Sequence, residues 1–308
     1  MAVPFSKEFV RSPFFYVGDK YKLMPQISPL FPHGIERLIE PFVGGGSVFL
    51  NTEYSSVLAN DLNSDVVDIH RLLLSRNNDM DTFIEELVEI ARKYDLSCTF
   101  KGDSVPKEIL VQYPKTYFAH LNRTGFNNLK AEYNKSSERD PIQLYVLMIY
   151  GFNRMLRFNR KGEFNIPVGN VDFNSNVAIA LLAYAERTLN RKINFSNLTF
   201  KDFLNGISYK TGDFVYLDPP YLITASEYNK GWNEANEISL YAILDELNEK
   251  GVKFALSNVE IYGNRQNTIL ENWMKRYYVN VIRSNYINYF DNRKKSLREV
   301  LVCNYEQA

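Results

Sequence analysis

Asp213-Phe214-Val215-Tyr216-Leu217-Asp218-Pro219-Pro220-Tyr221 decides how the rest of the chain is read. An apolar run of strand length ends in an acid, two prolines and an aromatic. Neither proline can donate to a sheet ladder, so the strand stops where the carboxylate stands. Asp218 is therefore expected at the carboxyl end of a strand, the edge along which open α/β sheets bind ligands. Its carboxylate, the Pro219 carbonyl and the Tyr221 ring suit a planar substrate bearing an amino group, with two acceptors for its N–H bonds and a stacking face. Asp218, Pro219, Pro220 and Tyr221 are the candidate catalytic residues. Alone, the stretch is better read as a strand followed by an ordinary Asp-Pro turn.

The glycine loop upstream changes that balance. The apolar pair Leu38-Ile39 leads into Glu40-Pro41-Phe42-Val43-Gly44-Gly45-Gly46-Ser47 and an apolar helix. Three glycines between strand and helix let backbone N–H groups approach a ligand at the helix N-terminus. A second apolar run, Ser56-Val57-Leu58-Ala59, ends in Asn60-Asp61. Asp61 lies 21 residues after Glu40, the distance at which the second strand of a nucleotide-binding βαβ unit offers an acid to a ribose diol. That spacing implies an adenosine-type cofactor. The loop is not G-x-G-x-x-G, since position 49 is Phe. An acid at the end of the first strand, followed by proline, suits the cationic S-adenosylmethionine better than a pyrophosphate. Ahead of it, aromatics, a turn at Gly18 and a helix from about Lys20 could frame a carboxylate-bearing ligand.

Composition bounds the rest. The 308 residues allow one large or two modest domains, and 45% hydrophobic with 23% charged residues is globular. Thirty-six basic and 36 acidic residues cancel, so a nucleic-acid surface must come from local segregation of charge. Cys98 and Cys303 stand too far apart for a metal knuckle or a disulfide framework, and no metal is expected. No apolar run approaches a membrane span, and Lys7, Glu8 and Arg11 interrupt the N-terminus where a signal peptide would be apolar. The expectation is a soluble, cytoplasmic protein.

Residues 64–94 have helical periodicity. The segment 95–175 that follows is too long for a loop and reads as an inserted, mostly helical domain between the halves 1–94 and 176–308. Between 110 and 170 nine Lys or Arg face four acids, with ten Tyr or Phe interleaved. The densest parts are Leu121–Asn128, with Arg123 and Asn127, and Gly151–Gly169, with Phe152, Asn153, Arg154, Arg157, Arg160 and Lys161. Lys161-Gly162 reads as a β-hairpin tip. Arg can pair with guanine and Asn with adenine, and an aromatic can wedge into a base stack. These side chains are therefore candidates for DNA contact.

From 176 the α/β rhythm returns, with a helix over 176–190, a strand over Ile193–Phe200, then Asp202-Phe203, which could hold a cofactor's adenine. After Asp218 come a polar stretch from Thr224 to Asn236, helix 237–249, strand Val252–Leu256, helix 265–275, and strands near 277–283 and 297–304. Asn285 to Lys295, with Arg293 and Lys294, could touch phosphates.

Tyr16-Val17-Gly18-Asp19-Lys20, the Glu40–Ser47 loop, Asn60-Asp61, Asp202-Phe203, Asp218-Pro219-Pro220-Tyr221 and Arg157 through Gly169 together resemble the Dam-type, α-group DNA adenine-N6 methyltransferases over roughly residues 12–305. The resemblance implies a Rossmann-like class I methyltransferase sheet with S-adenosylmethionine as cofactor. It also implies a methyl transfer to N6 of an adenine flipped out of duplex DNA, within GATC or another GAT-containing site. Tyr16, Lys20, Asp61 and Asp218 would touch the cofactor, with Phe42 and Gly44–Gly46 beneath it. Phe152, Asn153 and Arg157 would face the DNA. The family usually has Trp at position 16 and Gly at positions 19 and 154, whereas this chain has Tyr, Asp and Arg. A monomer on double-stranded DNA is expected, with a cognate restriction endonuclease acting on the same site and no membrane. A methyltransferase of RNA or of a protein amide could use the same Asp-Pro-Pro-Tyr chemistry. A nicotinamide-dependent oxidoreductase would leave that motif and the basic insert unexplained, and a noncatalytic DNA-binding module would not need both motifs.

Overall fold

The computed structural model describes residues 9–16, 18–224, 231–283 and 297–306. A short helix α1 (Met24–Ile27) precedes β1 (Arg37–Glu40), α2 (Ser47–Leu50), β2 (Ser56–Asn60), α3 (Ser64–Ser75) and α4 (Met80–Lys93). Next come α5 (Lys107–Gln112), α6 (Tyr117–Leu121), α7 (Arg123–Lys135), α8 (Pro141–Tyr150) and α9 (Ser175–Thr188). The chain then runs through β3 (Lys192–Ser196), α10 (Phe200–Asn205), β4 (Asp213–Leu217), α11 (Glu234–Glu249), β5 (Lys253–Tyr262), β6 (Arg265–Gln266), α12 (Thr268–Met274), β7 (Tyr278–Ile282) and β8 (Leu297–Cys303). The helices start at side-chain caps: Asn63, Asp140, Asn174, Thr199, Asn233 and Asn267 each accept from a backbone N–H of the first turn.

The sheet order is β3-β2-β1-β4-β5-β8-β7, with β6 paired to β5. Strands β3, β2, β1, β4 and β5 are parallel, and β8 is antiparallel to both neighbours. This is the mixed, mostly parallel α/β sheet expected. The chain leaves β1 toward β2 and returns to β4 on its other side. The loops after β1 and β4 therefore diverge and open a crevice at their carboxyl ends, a topological switch point. β4 is buried along its whole length, as a run without alternation requires.

One core packs α3, α4, α8 and α9 on the sheet, and a second packs α10, α11 and α12 on the opposite face. From Leu144 to Tyr150 every residue of α8 is buried, which is why that helix shows no amphipathic period. Although α8 belongs to the inserted stretch, it packs with α3 and α4, and Tyr145 donates to the Pro13 carbonyl at 3.0 Å. Residues 95–175 thus share the first core with the parts of the chain on either side.

Several element bounds differ from the sequence expectation. The third strand stops at Ser196, not Phe200, because Thr199 caps a helix that begins at Phe200. β5 is ten residues long and runs to Tyr262, since β8 and β6 supply partners beyond Leu256. Residues 265–266 pair with β5 and leave the helix to start at Thr268. The hairpin at Lys161-Gly162 contains no regular ladder. Isolated antiparallel bridges join Gly151 to Val168 and Phe158 to Phe164, and Gly162 turns the tip at φ 73°. Among the described residues no helix is long and apolar enough to cross a membrane.

Candidate active site and DNA-facing cleft

A cleft of 1820 Å³ lies over the carboxyl ends of β1, β2 and β4. Its floor is the turn after β1. Gly44 N–H donates to Asp61 Oδ2 at 2.9 Å, Gly46 N–H to the Val43 carbonyl at 2.8 Å, and the Ser12 hydroxyl to the Gly45 carbonyl. Gly46 sits at φ 77°, which a side chain rarely adopts, and a Cβ on Gly45 would come within 2.8 Å of Tyr16 Cβ. The glycines thus let the Tyr16 segment lie directly on the loop. Asn60 ties the strand ends together by donating to the Pro41 and Leu198 carbonyls and accepting from Leu198 N–H.

Behind the loop stands fully buried His70, with Nε2 2.8 Å from the Gly44 carbonyl and Nδ1 3.3 Å from the Tyr184 hydroxyl. Burial pulls the His70 pKa down to about 3, so the ring is neutral, and the proton on Nε2 holds the glycine loop. At the cleft wall, Glu40 is 2% exposed and its Oε2 has no hydrogen-bond partner among the described residues. Burial pushes its pKa up to about 8 against the opposing pull of Arg191. Asp61 is raised by burial and held back by the N–H groups of Asn63 and Gly44. The cleft therefore has acidic walls and an apolar rim in which Phe42, Phe200 and Trp232 pack with ring centroids 5.5 to 5.7 Å apart.

Asp218 follows β4 into the cleft. Its Oδ2 accepts from Lys20 at 2.6 Å and its Oδ1 from the Tyr221 hydroxyl at 2.8 Å. That hydroxyl also lies 3.2 Å from Glu299 Oε1 on β8, so its single proton serves one carboxylate at a time. Tyr216, one turn of the pleat below, meets the Ser257 hydroxyl at 2.8 Å. Phe152, Asn153 and Arg157 line the same cleft. Phe152 follows a close crossing of Gly151 and Gly169, where Phe152 N–H donates to the Pro167 carbonyl at 2.9 Å and Gly169 N–H to the Tyr150 carbonyl at 2.7 Å. Asn153 and Arg154 both stand at φ 52°, a left-handed pair costly for residues with side chains. Phe152 is left 40% exposed at the cleft edge.

A family model described as D12 class N6 adenine-specific DNA methyltransferase matches residues 16–288. The chain belongs to that family. It is 33% identical over 309 residues to the type II methyltransferase M.FokI of Planomicrobium okeanokoites and 32% identical over 312 to the modification methylase StsI of Streptococcus sanguinis. These matches cover 97% and 98% of this chain but 44% of each relative, so the chain spans less than half their length. It is 29% identical to the DNA adenine methylase of Escherichia coli K12, over 87% of this chain and 85% of that protein.

Within this D12 family member the cleft gathers most of the residues singled out in the sequence. Tyr16, Lys20, Glu40, Phe42, Gly44, Gly45, Gly46, Asp61, Asp218, Pro219, Pro220 and Tyr221 all line it, as do Phe152, Asn153 and Arg157. Others lie elsewhere. The Thr199 hydroxyl caps the helix by accepting from Asp202 N–H and donates to Asp202 Oδ2, and Phe203 points into the second core, while Thr199 and Phe200 occupy the cleft instead. Arg154 turns away from the cleft: its guanidinium lies 3.7 Å from the Phe15 ring centroid, and burial lowers its pKa to about 10. The positive φ at this residue directs the side chain back onto the N-terminal segment. Arg123 and Asn127 are exposed on one face of α7, and Arg160 and Lys161 at the hairpin tip, all outside the cleft lining. Arg293 and Lys294, with the rest of Asn285–Lys295, lie outside the described residues, as do positions 225–230 of the polar stretch.

Four participants were not read from the sequence. His70 sits on the buried face of α3 and looks like core until the loop is folded against it. Trp232 and Phe200 have no local pattern that marks a cleft. Glu299 did carry a signal, an acid within the apolar run Leu297–Cys303.

Proposed function

We propose that the chain transfers a methyl group from S-adenosylmethionine to N6 of adenine in duplex DNA. The observation that supports this reading is that Asp218, the glycine loop and the Phe152–Arg157 segment line one cleft, which can then offer a cofactor floor and a base-facing wall. The residues present fit the cofactor. Glu40 presents a buried acid with an oxygen lacking a partner among the described residues, suited to the cation of the methionine end, and Asp61, which lines the cleft after the second strand, suits a ribose diol. The apolar rim of Phe42, Phe200 and Trp232 suits a purine ring.

When bound, the cofactor supplies an electrophilic methyl on a sulfonium. The residues of the chain do the rest. The target base leaves the duplex at a cost of a few kcal/mol and enters the cleft against the Tyr221 ring, whose hydroxyl is held by Asp218 and Glu299. Asp218 and the Pro219 carbonyl accept the two N6–H bonds and aim the nitrogen lone pair at the methyl. As the N–C bond forms and the S–C bond breaks, positive charge develops on N6, where these fixed acceptors stabilise it. The N6 proton leaves by way of Asp218 to solvent. Phe152 acts as the wedge that fills the vacated stack, and Arg157 reads a neighbouring guanine. Residues 95–175 form the target-recognition part, with Arg123, Asn127, Arg160 and Lys161 positioned for phosphates. The chain acts as a cytoplasmic monomer on DNA, paired in the cell with an endonuclease of the same site.

The test is methyl transfer from labelled S-adenosylmethionine to unmethylated duplex, with nucleoside analysis and mapping of the product. N6-methyladenine in one short motif is expected. Cofactor binding without label in DNA, but with label in RNA or protein, would overturn the choice of substrate.

A further inference from the structure

Three charged side chains meet beneath the carboxyl end of β4. Lys20, 3% exposed, puts its ammonium 2.6 Å from Asp218 Oδ2 and 4.0 Å from Glu299 Oε1. Glu299, 1% exposed, also lies 3.2 Å from the Tyr221 hydroxyl. Lys20 Nζ stands 5.3 Å from the Tyr221 ring centroid.

Methyl transfer to an amino nitrogen moves positive charge onto that nitrogen, so the site must present net negative charge to it. A Lys20–Asp218 ion pair by itself is neutral. Its field at a nearby nitrogen would be that of a dipole, with the ammonium opposing the carboxylate. Glu40 does not make up the difference, because the charge it gains on cofactor binding is taken up by the cation of the methionine end. Glu299 does, since Lys20 then faces two carboxylates and divides its charge between them in a water-poor setting where charge is weakly screened.

We propose that Glu299 is a positioning residue for methyl transfer: as the countercharge to Lys20, it leaves the negative charge of Asp218 uncompensated at the substrate amino group. Through Tyr221 it also fixes the ring against which that base would lie. The proposal rests on the methyl-transfer reading above and adds to it a residue that touches neither substrate nor cofactor.

The test is a double-mutant cycle on the whole chain, with single-turnover methylation of duplex DNA and separate measurements of cofactor and DNA affinity. Wild-type protein that transfers no methyl group would refute the functional reading itself; the outcomes for Glu299 are read where wild type is active. E299Q keeps the shape of the side chain and an acceptor for Tyr221. It should lose roughly 100-fold in the rate of transfer, with both affinities retained. In K20M the same substitution should cost little, because without the ammonium Asp218 needs no countercharge. Wild-type rate in E299Q, or the same loss in both backgrounds, would overturn the proposal. Should E299Q alone not fold, because it leaves Lys20 buried with one partner fewer, K20M against K20M/E299Q decides. The double variant must match K20M, and a further 100-fold drop would show a role independent of Lys20.

Discussion

Cofactor binding should be driven by the ionisation of Glu40, and this gives a pH dependence that can be worked from the structure. Burial holds the Glu40 pKa at about 8. The cation of the ligand favours the ionised form, so binding requires loss of a proton that the free protein retains at neutral pH. Between pH 6 and 7 the ionised fraction of such a group rises about ninefold, while the ligand's α-amino group, with an ordinary pKa of about 7.7–8.0, stays charged. The dissociation constant for S-adenosylmethionine should therefore fall about ninefold over that unit, and calorimetry in buffers of different ionisation enthalpy should show nearly one proton released. The free protein carries the complementary signature. A carboxyl whose folded pKa is raised lowers stability as pH rises from its ordinary value of 4.5, that of the unfolded chain, toward about 8. The loss amounts to about 3 kcal/mol by pH 7 and levels off above the folded pKa. E40Q should remove both contributions: the difference in stability between wild type and E40Q should carry the Glu40 slope across that window, because buried His70 and Asp61 titrate in both proteins, and the variant should bind cofactor more weakly and release no proton. A wild-type affinity that does not change between pH 6 and 7, or an E40Q protein that keeps the wild-type slope, would refute the assignment of Glu40 to the cofactor's cation.

Asp218 should be needed for chemistry and not for DNA affinity: D218N is expected to lose about 1000-fold or more in transfer rate while binding duplex as wild type, and parallel loss of both would contradict its role. R157A should relax the choice of site more than it weakens salt-sensitive, nonspecific binding. In the protein without DNA, Arg157 donates to Asn165 Oδ1 at 2.9 Å and to the Asn165 carbonyl at 3.3 Å, bonds it must exchange to reach a base. An unchanged methylation pattern would count against base readout. Trp232 and Trp273 are the only tryptophans, and Trp273 lies stacked on Tyr241 in the second core. Cofactor binding should change the fluorescence of Trp232 at the cleft rim, and W232F should abolish the change. A signal that survives W232F would place the purine elsewhere.

Much of this molecule was legible because its chemistry is local. Asp218-Pro219-Pro220-Tyr221 ends a strand wherever it stands, and Gly44-Gly45-Gly46 makes a turn that side chains could not. The spacing from Glu40 to Asp61 is the length of one strand, turn, helix and return. The departures from the expected placement are also local. Asp202-Phe203 stood after a predicted strand, but Thr199 competes for Asp202 and starts a helix there, so the register of cleft and core shifts to Phe200. Arg154 looked like its basic neighbours, yet a left-handed backbone carries it to Phe15.

The sequence by itself determined the α/β class, the order of motifs along the chain and the candidate acceptors of the reaction, because strand ends, glycine turns and cap residues act within a few residues of themselves. Only the tertiary structure decided which charges meet. Lys20 reaches Asp218 across 198 positions, Tyr221 reaches Glu299 across 78, and His70 reaches the Gly44 carbonyl across 26. Such pairs are set by strand order and by which face of a helix is buried. No local preference records them, and whether a carboxylate acts as a lone negative charge or as half of a neutral pair depends on them.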